Sequence, residues 1–143
     1  MPLNSNETIQ KYIINSSRNK LIFDTKGLLD IHYLNLGLEL SKSLDPLLND
    51  PKIGLIAKQK LDHLLGDSIY DADLPYPILA IENIGILFEK ELMIDIVTLF
   101  DKHSQNNVLL VRWPGTIVKG VLYFLTKEKG IAINIEHLSY NVI

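Results

Sequence analysis

The chain contains no cysteine, which removes disulfides, thiolate metal sites and cysteine nucleophiles. Aromatic residues are only 8% of it, so the apolar mass is aliphatic, chiefly Leu and Ile. No apolar stretch approaches the roughly 20 residues that crossing a bilayer requires. Residues 1–10 are polar and lack the basic and apolar regions of a signal peptide, so a cytoplasmic protein without a membrane partner is expected. Glycine is present eight times but never before lysine; the residues that follow are Leu28, Leu38, Leu55, Asp67, Ile86, Thr116, Val121 and Ile131. A Walker A phosphate loop is therefore missing. Neither a His-Glu-x-x-His pair nor a Gly-x-Ser-x-Gly elbow occurs.

What is present suits one folded unit. With 143 residues and 47% hydrophobic content the chain can bury one core, and 22% charged residues place it outside the composition of disordered proteins. We expect a single α/β domain over residues 1–143, of three-layer type with a mostly parallel central sheet, and a docking helix within residues 1–18. The net charge of −3 is unevenly spread. Residues 1–107 carry ten basic and fifteen acidic side chains, and residues 108–143 four basic and two acidic. In that tail Arg112, Trp113, Lys119, Lys127 and Lys129 interleave with Tyr123 and Phe124, a pattern that could contact DNA or a protein partner. An amphipathic strand pair with solvated lysines is the plainer reading.

Along the chain, Ile9, Tyr12 and Ile13 recur at helical spacing in residues 6–17, with Asn6 as N-cap. Leu21-Ile22-Phe23 reads as a buried strand, and residues 31–34 as another. Their separation is shorter than a parallel crossover usually needs, so either the two form a hairpin or the second is displaced. Helices are expected over 36–44, 53–65 and 89–103, and buried strands over 78–81 and 108–111. The last two should be parallel neighbours joined by a helical crossover. Residues 121–125 and 131–135 should pair across a turn at 126–130.

Glu82 ends the 78–81 strand, where P-loop enzymes hold magnesium, and with Asn83 it is the candidate for nucleotide contact. Without the Lys and Ser/Thr of a phosphate loop, the same two residues fit a structural hydrogen-bonding role. No residue is assigned a catalytic role. Asp67, Asp71 and Asp73 lack the glycine and closing glutamate of a calcium loop, His32, His63, His103 and His137 lack ligand spacing, and no metal is expected. Glu89 and Glu91 suit the first turn of a helix.

Three blocks together resemble a known family: residues 33–41 (Tyr-Leu-Asn-Leu-Gly-Leu-Glu-Leu-Ser), residues 78–88 with Leu92 and Asp95, and Arg112-Trp113-Pro114-Gly115 followed by residues 120–124. Over residues 20–143 the chain is similar to the small P-loop proteins of BREX phage-defence systems, the BrxF-like family. The resemblance implies a cytoplasmic component of a multi-protein defence locus, working beside a DNA methyltransferase and an ATPase or helicase. It also implies ATP and magnesium as cofactors. The family's glycine-rich loop and first helix would fall between Phe23 and Ile31, where this chain has only residues 24–30; its strand-end aspartate matches Glu82; and Gln105, Asn106 and Asn107 stand where basic residues are expected. The expectation is a truncated P-loop fold without the loop and first helix, non-catalytic, needing no cofactor and binding other defence proteins or a second copy. Loss of a helix should uncover sheet surface for such a partner. The alternatives are a residual ATP-binding subunit completed by a partner in trans, and a small DNA-contacting accessory.

Overall fold

The structure, a computed structural model, describes residues 5–14, 18–27, 29–124 and 131–143. Five strands form an all-parallel sheet: β1 (Leu21–Asp24), β2 (Leu34–Asn35), β3 (Ile78–Glu82), β4 (Val108–Arg112) and β8 (Tyr140–Val142). Their order is β2-β3-β4-β1-β8. The sequences of β1, β3 and β4 are apolar up to their last residue, which suits strands buried on both faces. A second, antiparallel sheet of β5 (Thr116–Val118), β6 (Val121–Phe124) and β7 (Ile131–Asn134) follows β4. Lys119 and Gly120 join β5 to β6 with φ of 49° and 75°, the two left-handed positions of a tight hairpin turn. The 126–130 turn between β6 and β7 lies outside the described residues.

Because side chains alternate across a strand, the central sheet has two distinct covers. Leu21, Phe23, Leu79, Ile81, Leu109 and Val111 face helices α2 (Leu36–Leu44), α3 (Ile53–Asp67) and α4 (Ile96–His103). Trp113, Leu122, Ile133 and Leu138 extend that core beneath the small sheet. The opposite face, with Ile22, Ile78, Ala80, Val108 and Leu110, is covered by Ile9 and Ile13 of α1 (Ser5–Ile13) and by Leu29, Ile31, Tyr33, Tyr70 and Leu74 from extended segments. The expectation of an uncovered sheet is thus corrected. The five sheet residues on this face are at most 3% exposed, because α1 and two connectors do the work of a crossover helix. The docking helix is there, but Asn6 lies inside it rather than capping it, and donates from Nδ2 to the Ala72 carbonyl at 2.8 Å.

The short β1-to-β2 connection is explained by where β2 pairs. β1 and β3 lie two strands apart, and β2 pairs only with the carboxyl end of β3, where Leu34 and Asn35 register with Ile81 and Glu82. The chain therefore has only to go from the carboxyl end of one strand to the carboxyl end of another, with no return along the sheet required. Three inter-strand spacings are about 14 Å, well within the reach of nine residues at about 3.3 Å each. The expected strand at 31–34 is therefore a displaced two-residue stub.

α4 is shorter than its apolar pattern. Residues 84–92 form two 3-10 turns, Met93 adopts a left-handed φ of 53°, and Asp95 then caps the true helix by accepting from the Thr98 amide at 3.2 Å. Met93, expected inside, is 85% exposed.

Candidate functional site at the carboxyl edge of the sheet

The polar residues that end β1, β3 and β4 are Asp24, Glu82 and Arg112, each last in its strand. Parallel register sets Asn35 beside Glu82 and Asp24 beside Arg112, on adjoining strands of one sheet edge. By the two-residue period Asp24, Glu82 and Arg112 fall on the face of Ile22, Ala80 and Leu110, where Tyr33 lies. Ligands of open parallel sheets bind outside these carboxyl ends.

The arrangement is internally paired. Arg112 donates from Nη1 to Glu82 Oε2 at 3.0 Å, and its guanidinium stands 4.3 Å from the centre of the Tyr33 ring. Its Nε is buried with no acceptor among the described residues. The Tyr33 hydroxyl donates to Asp24 Oδ2 at 3.2 Å. Burial, reinforced by the Asp24 charge, pushes the Tyr33 phenol well above its ordinary value, so it stays protonated and remains a donor. Asp24 is fully buried and also accepts from the Lys26 and Leu29 amides at 3.2 and 3.3 Å.

Next to this pair, Asn83 takes a left-handed φ of 54° and donates from Nδ2 to Asn35 Oδ1 at 2.8 Å. Asn35 Oδ1 also accepts from the Leu38 amide and so caps α2. Gly37 allows this contact: a Cβ there would lie 2.6 Å from Asn83 Nδ2 and 2.7 Å from the Asn83 carbonyl. The Asn35-Leu36-Gly37 block thus locks the first turn of α2 onto the end of β3.

The structure therefore brings together Glu82, Asn83 and Arg112 from the sequence-derived candidates. Trp113 follows Arg112 but sits in the core at 1% exposure, donating from Nε1 to the Thr116 and Tyr123 carbonyls. Phe23, Phe88 and Phe124 surround its ring at 5.7–6.4 Å, so its faces are not offered to a base. Lys119 is exposed on the β5–β6 turn, and Lys127 and Lys129 lie outside the described residues. Asp24, Tyr33 and Asn35 were not singled out from sequence as site residues. The signal was there for Asp24, which ends an apolar run as Glu82 does.

Elsewhere, Asp71 and Asp73 are exposed, and exposed Asp67 contacts His63 at 3.2 Å. Among the described residues no group of three or more His, Asp or Glu is placed to hold a metal ion. No helix among them is long and apolar enough to cross a membrane. A cavity of 240 Å³ between α3 and α4 is lined by Leu61, Met93, Ile94 and Leu99 with Lys58, Asp62, Asp95 and Lys102 around it, a mixed rim without a dominant charge. Comparison with protein-family models, with curated proteins and with solved structures yields no match, so the reading of this edge rests on its own geometry.

Proposed function

We propose that the chain is a non-catalytic, P-loop-derived α/β protein that binds partner subunits in a BREX-like phage-defence system. The observation that supports the non-catalytic half is the pairing of the charged groups at the carboxyl edge with one another. A triphosphate needs backbone amides and a cation to hold it. Here the Lys26 and Leu29 amides donate to a carboxylate of the chain itself, that of Asp24, and Arg112 is engaged with Glu82 and Tyr33. The P-loop ancestry is supported by β3 ending in an acid, a crossover containing α4, and β4 as its parallel neighbour.

The partner-binding half is carried by the sequence blocks, and two of those blocks have structural reasons to be what they are. Residues 35–37 form the lock on Asn83, and Trp113 anchors the aromatic cluster. The test is co-expression of the chain with the methyltransferase and ATPase subunits of a BREX-like locus, followed by size exclusion. Co-elution in a defined complex, retained by Glu82→Gln without change in the complex's ATP turnover, is the expected result. Elution as a free monomer with either subunit would overturn the assembly role, and loss of turnover with Glu82→Gln would restore an enzymatic one.

A further inference from the structure

The side of α3 that faces α4 is poor in packing groups. Gly54, Lys58 and Asp62 recur every four residues there with Leu61 beside them, and α4 presents Thr98, Leu99, Lys102 and His103 in return. Close packing of two helices sets the side-chain ridges of one into the grooves of the other, and a stripe of one glycine and two charged residues supplies no apolar ridge. The helices leave a cavity of 240 Å³ between them. Its floor is buried Leu61 and Leu99 with half-buried Ile94.

Met93 stands at the mouth. It is 85% exposed and holds a left-handed φ of 53°, a conformation that costs free energy for a residue with a side chain. Its Sδ lies 3.7 Å from where a Cβ on Gly54 would be, so the thioether reaches the first turn of α3. Core packing does not account for an apolar side chain held in water on a strained backbone. A flexible, polarizable thioether beside an apolar opening suits a ligand that it closes over.

The rim sets the charge of that ligand. By count it is balanced, but Asp95 accepts from the Thr98 amide and hydroxyl at 3.2 and 2.9 Å, and its charge is set against the amino end of α4. Burial holds His103 below its ordinary value, so it is neutral at pH 7. Lys58 and Lys102 have no carboxylate partner among the described residues, and only Asp62 remains against them. The free groups therefore carry an excess of one positive charge. For scale, a cavity of about 150 Å³ holds benzene, so this one takes a ring with a short tail. We propose that the cavity between α3 and α4 binds a small free monocarboxylate with an apolar body, its carboxylate at Lys58 and Lys102 and its body on Leu61, Ile94 and Leu99 beneath Met93. The cavity shares no residue with the carboxyl edge of the sheet, so the proposal goes beyond the partner-binding reading and does not depend on it.

The probe is hydrocinnamate, titrated into isotope-labelled wild type and followed by amide chemical shifts. Saturable shifts centred on Leu61, Met93, Ile94 and Leu99 are expected at millimolar probe. The uncharged hydrocinnamide should bind about threefold or more weakly, the scale of two exposed ion pairs, and added salt should weaken only the acid. Lys58→Gln combined with Lys102→Gln should bring the acid down to the affinity of the amide; both side chains are exposed and unpaired, so their loss leaves no group without a partner. N-acetylphenylalanine, with the same ring and carboxylate on a peptide-like backbone, should bind more weakly, because the apolar floor offers its amide no hydrogen bond. The absence of saturable shifts at these residues overturns the proposal, as does equal binding of acid and amide by wild type. Tighter binding of N-acetylphenylalanine overturns the free-acid class in favour of a peptide terminus.

Discussion

Arg112 and Glu82 meet at 3.0 Å across the ends of β4 and β3, and the same guanidinium lies over the Tyr33 ring. The strand-end cation of β4 is thereby bound to the strand-end carboxylate of β3. Each cancels the other's charge, and both remain partly exposed, at 40% and 29% of their side chains.

That exposure bounds the energy of the pair. A double-mutant cycle of Arg112→Ala and Glu82→Gln in urea denaturation should give a coupling of about 0.2–1 kcal/mol that shrinks as salt is added. A coupling of about 3 kcal/mol, indifferent to salt, would mean a buried pair instead.

Gly37 is predicted to be intolerant of even one methyl group. Gly37→Ala sets a Cβ inside contact distance of Asn83 and should cost about 1–3 kcal/mol in thermal or urea unfolding. Adding Asn83→Gly, which removes the opposing side chain and suits the left-handed backbone there, should recover part of the loss. An unchanged midpoint for Gly37→Ala would remove the lock between α2 and β3.

The sole tryptophan reports on the core. Trp113 should emit at short wavelength in the native protein and shift red on unfolding, and Trp113→Ala should cost about 3–5 kcal/mol. Red-shifted native emission, with an easily quenched ring, would place Trp113 at the surface and revive the base-stacking reading.

Acid should destabilise the fold in two steps. Burial, with Lys102 adding, holds His103 below its ordinary 6.5, so its contribution is complete above about pH 6.5 and falls as the pH drops through the lower folded value. Asp101, hydrogen-bonded by Arg18 and Asn19, and Asp95, hydrogen-bonded by the Thr98 amide, are both held below 3.8. Their contributions are present above that value and fade as the pH falls through the folded values. Urea midpoints measured across this range should decline toward acid, with His103→Gln flattening the upper part and Asp101→Asn the lower. A midpoint that rises on acidification would contradict the sign of all three.

Much of this architecture is written in short-range patterns. The runs at 21–23, 78–81 and 108–111 are strands because unbroken apolar segments suit burial on both faces, and 36–44 is a helix with the expected bounds. The failures have local causes. Leu92, Met93 and Ile96 keep helical spacing, but spacing does not reveal that Met93 turns left-handed; the Asp95-x-x-Thr98 cap was the better boundary signal. β5 and β8 were missed because each has three residues and depends on a partner strand distant in sequence or on a hairpin turn. Glu82 and Arg112 could be named from their strand ends. Their pairing could not, because it follows from the register of β3 with β4, and Asp24 reads as an ordinary turn residue until Tyr33 is seen to fold back onto it.

The most direct test of the closed edge is calorimetric titration of the purified wild-type protein with ATP and magnesium, with size exclusion on the same sample to define the species present. The account predicts no measurable binding up to millimolar nucleotide. Saturable micromolar binding that Glu82→Gln or Arg112→Ala abolishes would contradict it, because that edge would then hold a phosphate despite the pairing seen here.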